Sequence, residues 1–231
     1  MRDVTEGRTD RSRWEGFWGK TRVRENTRVF EVLIACFRFL ANLVRSQLAS
    51  HHIKKGELRI LEVGCGTAVS SILLARRKKL REIIGVDFSR SAVSIARKNS
   101  CRYHVNASFV LADARFLPFR KDTFGLTWNM GLLEHFKEPR PAVSEMVRVT
   151  RNEGVILVFI PSHNNILVRV RDIVRKVTGI YFDFNKTWGD SRAYRMDLYR
   201  IFSEANLVDI KIQAVSQELL IETMAIGQKR V

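Results

Sequence analysis

The alternation of hydrophobic and polar residues predicts a chain in which strands and helices follow one another. Five short apolar runs predict strands, at residues 58–63, 82–86, 107–111, 126–129 and 154–160. Four segments with apolar residues at helical spacing predict helices, at residues 27–48, 68–77, 91–99 and 140–149. Because strands that alternate with helices form parallel βαβ units, the pattern predicts an α/β fold built on a doubly wound sheet.

The C-terminal third of the chain departs from this rhythm. Residues 165–177 have the pattern of a basic amphipathic helix, and an aromatic stretch follows at 181–184. A helix is predicted at 196–205, and two strands joined by a short loop at 208–215 and 219–227. Such a pair at the end of a parallel sheet forms an antiparallel hairpin. The expected fold is a Rossmann-like sheet of seven strands, mostly parallel, with an antiparallel terminal hairpin and helices on both faces.

Length and composition fit one domain of this class. The chain has 231 residues, of which 45% are hydrophobic, enough for one domain with a full core. It has no run of about 18 uncharged apolar residues and no signal-peptide core at its N-terminus, so we expect neither a transmembrane span nor secretion. The three cysteines are widely spaced and lack a Cys-x-x-Cys pair, which predicts no disulfide framework and no metal site. A reducing, cytoplasmic compartment is the resulting expectation.

The charge balance is strongly basic. Lys and Arg number 40 against 24 Asp and Glu, which gives a net charge of +16. Such a field attracts nucleic acid, anionic membrane surfaces or acidic substrates. The tightest basic cluster, at 76–81, falls where a predicted helix ends, and cations there interact favourably with the helix dipole. The charge therefore leaves open both a functional basic surface and a merely solvated one.

A turn that contains two glycines is the strongest candidate for a functional site. The strand at 58–63 runs into Gly64-Cys65-Gly66, and a predicted helix follows. Glycine lets the chain turn sharply and lets a ligand approach the backbone, as in nucleotide-binding turns. Asp87 ends the second strand, where a carboxylate can bind both hydroxyls of a ribose, and Asp113 follows the third. A dinucleotide dehydrogenase would need a third glycine at the position of Val69, which disfavours that class.

Five blocks of sequence carry a resemblance to a known family. They are residues 61–67 (LEVGCGT), 85–89 (GVDFS), 112–119 (ADARFLPF), 132–135 (LLEH) and 148–154 (RVTRNEG). This series resembles the class I S-adenosylmethionine-dependent methyltransferases, and within them the small-molecule group of the ubiquinone and menaquinone biosynthesis type (methyltransferase domain type 11). The resemblance covers about residues 58–161. It implies a Rossmann-like fold, S-adenosylmethionine as cofactor and methyl transfer as the activity.

The resemblance also implies a role for each block. Glu62 would lie near the methionine amino group, and Gly64 and Gly66 would let the methionine part lie against the backbone. Asp87 would bind the ribose diol. The remaining implied contacts are Cys65 in the turn, Phe88, Asp113 and Ala114 around the adenine, and Asn129 and Met130 near the sulfonium.

Two positions depart from the family pattern, and one implied residue has a structural alternative. The family often has glycine where Ala68 stands and aspartate where Gly125 stands. Ala68 is small enough to be tolerated, and the change at Gly125 concerns a structural contact more than chemistry. Asp87 can instead cap the helix that follows it, but Ser89 can fill that role as well.

Methyl transfer from a sulfonium is an in-line displacement, so the protein mainly positions the two reactants and excludes water. A general base is needed only if the nucleophile must lose a proton, and His135 is the first candidate for it. A structural role at a helix start is the alternative for His135.

Substrate choice would come from segments outside the sheet. We expect residues 1–50 to form a helical lid on a methyltransferase domain at 51–231, which carries a substrate-side insertion at about 161–193. The alternative is that the aromatic residues of these segments only cover the core. The candidate substrate residues are Trp14, Trp18, His163, Tyr181 and Trp188.

Three functions remain open at this point. The first is methylation of a small molecule, and aromatic-rich lids favour an apolar or aromatic acceptor. The second is an RNA or protein methyltransferase that uses the basic surface, although the sequence has no recognisable appended recognition domain. The third is a non-catalytic module that binds S-adenosylmethionine. The basic segment 165–177 would also suit peripheral contact with an anionic membrane. The acceptor and the oligomeric state stay undetermined.

Overall fold

The computed structural model describes residue 15 and residues 28–53, 59–78, 80, 82–161, 197–217 and 220–231. The predicted amphipathic helix at 165–177, the aromatic stretch at 181–184 and most of the N-terminal segment lie outside these residues. The chain divides into two compact units, residues 1–114 and 115–231. No helix among the described residues combines the length and the apolar character needed to cross a membrane.

Seven strands form a mixed sheet, as predicted, in the order β3-β2-β1-β4-β5-β7-β6. Their bounds are β1 Arg59–Val63, β2 Glu82–Asp87, β3 Ala107–Leu111, β4 Phe124–Met130, β5 Thr150–Pro161, β6 Leu207–Gln217 and β7 Leu220–Lys229. Strand β7 is antiparallel to both β5 and β6, and the other described pairings are parallel. The predicted α/β class and the antiparallel terminal hairpin are confirmed.

The first unit places the ends of three parallel strands together. Its helices are α1 (Arg28–His51), α2 (Val69–Lys78) and α3 (Arg90–Arg102). In the register, Val63 pairs with Val86, and Asp87 pairs with Leu111, so β1, β2 and β3 finish at one edge. Parallel α/β sheets bind their ligands at this carboxyl edge. On the outer strand β3, the Arg97 guanidinium donates a hydrogen bond to the Phe109 carbonyl at 3.1 Å.

The second unit contains helices α4 (Arg140–Val149) and α5 (Leu198–Glu204) and a short 3₁₀ turn at Leu133–His135. Pro141 lies in the first turn of α4, where its missing N–H costs no hydrogen bond. Asp197 caps α5 by accepting a hydrogen bond from the Arg200 amide at 2.9 Å. The outer strand β6 is interrupted by a register shift between Val208 and Lys211.

Strands β4 and β5 of this unit begin two or more residues before the positions that the sequence predicts. Strand β4 was expected at 126–129 but begins at Phe124, and β5 was expected at 154–160 but begins at Thr150. Phe124 pairs with Thr150 before a register shift, after which Leu126 pairs with Val155. The shift hides the early pairing from a simple apolar pattern, because it breaks the alternation along both strands. Gly125, at one of the departures from the family pattern, is buried in β4.

Candidate cofactor-binding site

The turn between β1 and α2 has an unusual backbone. Gly64, Gly66 and Ala68 have φ angles of +72°, +51° and +56°, so the left-handed conformation recurs at every second residue. Glycine adopts this conformation at little cost, whereas an L-residue with a Cβ does not. Helix α2 therefore begins at Val69, and Ala68 is the last residue of the turn rather than the first of the helix.

The conformation of Ala68 leads to a stability prediction. We expect Ala68→Gly to raise the free energy of unfolding by up to about 1 kcal/mol, because glycine relieves the left-handed strain while adding entropy to the unfolded chain. Ala75 is also buried but lies inside α2, and Ala75→Gly should lower the same quantity by about 1 kcal/mol. Denaturant unfolding of the three proteins measures both changes. Equal signs for the two substitutions would contradict the assigned strain.

Hydrogen bonds hold this turn against the end of β2. The amides of Gly64 and Cys65 both donate to the Val86 carbonyl, at 2.7 and 2.9 Å. The Ala68 amide donates to the Cys65 carbonyl at 2.7 Å, which closes the turn on itself. A ligand that lies on the turn would thus meet a backbone already fixed in shape.

Asp87 joins the turn to the following helix. Its Oδ2 accepts a hydrogen bond from the Gly66 amide and its Oδ1 accepts one from the Ser89 amide, each at 2.9 Å. Ser89 itself caps α3, since its hydroxyl accepts from the Ala92 amide, so the cap is not Asp87. Each carboxylate oxygen has a further lone pair for a ligand donor. Burial raises the pKa of Asp87, and the two amide donors oppose this shift.

Glu62 is a buried carboxyl with an unsatisfied oxygen. It lies on β1 with 1% of its surface exposed, and its Oε2 has no hydrogen-bond partner. Burial raises its pKa from 4.5 to about 8, and the charge of Asp87 adds to the rise, while Ser71 and Arg45 act in the opposite direction. Such a group is costly unless something pairs with it. The amino group of a ligand would supply both a donor and a positive charge.

Cys65 and Phe88, two further predicted cofactor residues of the first unit, differ in what they offer a ligand. The Cys65 side chain packs in a core cluster with Ile72 and Phe109, so its backbone is what it offers a ligand. Burial raises the pKa of the Cys65 thiol well above its usual value, which keeps the thiol neutral at pH 7. Phe88 is half-buried and follows Asp87 directly.

The segment after β3 also reaches this edge. The Ala112 amide donates to the Asp87 carbonyl at 3.1 Å, which brings the start of this segment beside the second strand. Asp113 is half-buried and Ala114 is buried. The first unit therefore brings Glu62, Gly64, Cys65, Gly66, Asp87, Phe88, Asp113 and Ala114 to the carboxyl ends of its three strands.

In the second unit, Asn129 and Met130 end β4. Asn129 is fully buried, and its Nδ2 donates to the Met146 sulfur of α4 at 3.3 Å, whereas its Oδ1 has no hydrogen-bond partner. Met130 is half-buried. After it, the Gly131 amide donates to the Phe159 carbonyl at 3.0 Å. The end of β4 is thus held by both its backbone and the Asn129 side chain.

His135 is half-buried in the 3₁₀ turn, and its amide donates to the Leu132 carbonyl at 3.1 Å. The candidate substrate residues Trp14, Trp18, His163, Tyr181 and Trp188 lie outside the described residues. Across the part of the chain that the structure describes, no group of three or more His, Cys, Asp and Glu side chains could hold a metal ion.

Two acidic residues without a predicted role occupy special positions. Glu134 is 1% exposed in the 3₁₀ turn, and a Cβ on Gly131 would lie 3.3 Å from its Oε1. Glu15 accepts hydrogen bonds at the start of α3, 75 residues further along the chain. One indirect signal for Glu15 is present in the sequence, because the first turn of α3 contains no acidic residue of its own.

Comparison with known proteins finds a family match in the central segment of the chain. Residues 61–158 match the family described as a methyltransferase domain. The chloroplastic tocopherol O-methyltransferase of Arabidopsis thaliana is 35% identical over 112 residues, which are 47% of this chain and 31% of that protein. The phosphatidylethanolamine N-methyltransferase of Cereibacter sphaeroides is 34% identical over 116 residues, 49% of this chain and 55% of that protein. The chain therefore spans about a third to a half of the length of these relatives.

Solved structures share the fold. The YcgJ protein from Bacillus subtilis superposes with a TM-score of 0.58 at 18% sequence identity, covering 83% of this chain and 99% of that chain. At this level of identity the likeness establishes the arrangement of strands and helices. It agrees with the seven-stranded sheet described above.

Proposed function

We propose that the protein binds S-adenosylmethionine and transfers its methyl group to a small, apolar or aromatic acceptor. The premise is the match of residues 61–158 to a methyltransferase domain. One observation carries the cofactor assignment. Two buried carboxyls, Glu62 and Asp87, flank a backbone turn that is fixed in a left-handed conformation. A ligand with an amino group at one end and a ribose diol at the other would satisfy both.

The residues of the first unit divide the cofactor between them. Glu62 would accept from the α-ammonium group, which pairs its buried Oε2. Asp87 would accept from the two ribose hydroxyls with the lone pairs that Gly66 and Ser89 leave free. The adenine would lie against Phe88, with Asp113 and Ala114 at its edge, and the methionine part would lie along Gly64, Cys65 and Gly66.

The residues at the end of β4 complete the proposed set. Asn129 and Met130 hold the strand position at which the resembled family has cofactor contacts, and Asn129 keeps one buried carbonyl oxygen unsatisfied. We assign them to the cofactor on these two grounds. The bound cofactor supplies a methyl group activated by a positive sulfur, so the protein's own residues serve to bind, to orient and to exclude water.

The acceptor assignment has support from the names of the two relatives. Tocopherol and phosphatidylethanolamine, on which those proteins act, are both lipids. An apolar or aromatic acceptor is the corresponding proposal for this chain, with Trp14, Trp18, His163, Tyr181 and Trp188 as the proposed contacts. The net charge of +16 is the specific observation behind the second candidate, an RNA or protein acceptor.

Calorimetry with S-adenosylmethionine tests the cofactor assignment. We expect saturable one-to-one binding by the wild-type protein, with S-adenosylhomocysteine also binding because it carries the same ribose and amino group. Adenosine and methionine alone should bind more weakly, since each reaches only one of the two carboxyls. Absence of binding at millimolar ligand would reject the proposal.

A labelled-methyl assay identifies the acceptor. The protein and methyl-labelled S-adenosylmethionine are incubated with a cell extract that is then separated into lipid, RNA and protein. Label in the lipid fraction supports the leading proposal, label in RNA or protein supports the second candidate, and binding without any transfer supports a non-catalytic module. With the acceptor known, His135→Gln tests the proposed general base, because loss of a base lowers the rate by about 10²–10⁴-fold.

A further inference from the structure

Glu15 makes a three-point contact with the start of helix α3. Its Oε1 accepts from the Arg90 amide at 2.6 Å, and its Oε2 accepts from the Ser91 amide at 3.2 Å and from the Ser91 hydroxyl at 2.7 Å. These are the first two amides of the helix, which have no partner within the helix itself. The carboxylate therefore completes a cap that the local sequence does not supply.

The capped turn is the one that follows Asp87, the carboxylate proposed to bind the ribose. Ser89 directly precedes Arg90, and its amide holds Asp87 Oδ1 at 2.9 Å. Its hydroxyl caps the third amide of the helix, that of Ala92. One continuous hydrogen-bonded network thus joins Asp87, Ser89 and the first turn of α3. Glu15 adds to this network a contact from a residue distant in the sequence.

Glu15 also interacts electrostatically with Asp87 in this network. Its hydrogen bonds with Ser91 and with the Arg90 amide outweigh burial and lower its pKa, so it is ionised at pH 7. Its negative charge raises the pKa of Asp87, as burial does. Hydrogen-bond donors stabilise the charged form of Asp87 against the nearby second carboxylate, and the hydroxyls of a ribose are such donors.

We propose that Glu15 is a positioning residue for the ribose of S-adenosylmethionine, acting through the first turn of α3 on the orientation of Asp87. The inference rests on the proposed cofactor. The coupling between two contacts is reciprocal. A ligand bound at Asp87 should therefore strengthen the Glu15 contact, and loss of Glu15 should weaken binding of the ligand. Glu15 itself would touch neither the cofactor nor the reacting atoms.

Calorimetry on Glu15→Gln tests the effect on affinity. We expect S-adenosylmethionine to bind about tenfold more weakly, in the range of ordinary coupling between sites. Ser91→Ala should weaken it less, and adding it to Glu15→Gln should have little further effect because the two residues share one contact. Glu82→Gln is the control, since it removes the same charge from the opposite end of β2.

Hydrogen exchange supplies a readout that a purely structural cap would not move. In the wild-type protein, S-adenosylmethionine should slow exchange of the Arg90 and Ser91 amides, and this ligand-induced protection should be lost in Glu15→Gln. Wild-type binding with unchanged affinity in Glu15→Gln and no ligand-induced protection overturns the inference alone. No binding by the wild type overturns the proposed function instead. If Glu15→Gln does not fold, Ser91→Ala takes its place in both measurements, and absence of ligand-induced protection in the wild type still overturns the inference.

Discussion

Asp87→Ala is expected to weaken S-adenosylmethionine binding by about 100-fold or more. Two charge-assisted hydrogen bonds to the ribose would be lost, each worth about 1.5–3 kcal/mol. The substitution also releases the Gly66 and Ser89 amides, which Asp87 holds on either side of the site. Both effects act in the same direction, so this position should be the most sensitive in the cofactor site.

Asp87→Asn separates the two contributions. An asparagine keeps one oxygen that can hold one of the two backbone amides, but it has lost the charge that strengthens hydrogen bonds from hydroxyls. We expect its stability to lie between those of the wild type and Asp87→Ala, while its affinity stays well below wild type. Calorimetry and denaturant unfolding on the three proteins provide the comparison. Wild-type affinity in Asp87→Ala would remove the ribose assignment.

Glu62→Gln is expected to stabilise the ligand-free protein and, at the same time, to weaken its binding of S-adenosylmethionine. The pKa of Glu62 is about 8 in the folded protein against 4.5 in the unfolded chain. The folded state therefore holds a proton that the unfolded state releases as the pH rises above 4.5. Stability from this group is full below pH 4.5, declines between 4.5 and 8, and is lost above the folded pKa.

The size of this effect follows from the shift. Each pKa unit corresponds to about 1.4 kcal/mol, so the wild-type protein should lose several kcal/mol from this group between pH 4.5 and pH 8. Glu62→Gln should flatten that part of the stability profile and be the more stable protein at pH 8. Asp87 retains its own contribution of the same sign in the variant. Equal slopes for the wild type and Glu62→Gln would contradict the raised pKa.

The cofactor prediction for Glu62 has a second signature. At pH 7 the free protein carries Glu62 mostly protonated, and pairing with an α-ammonium group would ionise it. Binding of S-adenosylmethionine should then release close to one proton, a quantity measurable by calorimetry in buffers of different ionisation enthalpy. In Glu62→Gln the release should vanish and the affinity should fall by about 10-fold or more. Gln keeps the size of the side chain, so packing is the same in both proteins.

The sequence predicted the positions in the candidate site that depend on the order of strands and helices or on a local cap. Gly64, Gly66 and Asp87 are placed by the order of strands and helices, and a βα turn at the edge of a parallel sheet follows from that order alone. The helix cap at Ser89 was also readable, because capping is local. In these cases the position of each residue follows from the strand end or helix start beside it in the chain.

Other parts depended on contacts that the sequence does not encode locally. Glu15 reaches α3 across 75 residues, and nothing in its neighbours distinguishes it from a solvated acid. Alanine at position 68 is a residue type that favours helices, so the sequence predicts a helix start there. The hydrogen bond from its amide to the Cys65 carbonyl instead holds Ala68 in the left-handed conformation. The high pKa of Glu62 required knowledge of its burial beside Asp87, which only the packed sheet provides.

The two outer strands of the sheet also bear on how the protein behaves in a crowded solution. An open strand edge is a template on which another chain can add a strand, which is a common route to aggregation. Strand β3 is only five residues long and has one carbonyl covered by Arg97. Strand β6 is longer, but its register shift next to Lys211 breaks the flat ladder that an incoming strand would need. In the part of the chain that the structure describes, both outer strands thus carry a feature that discourages edge-to-edge pairing.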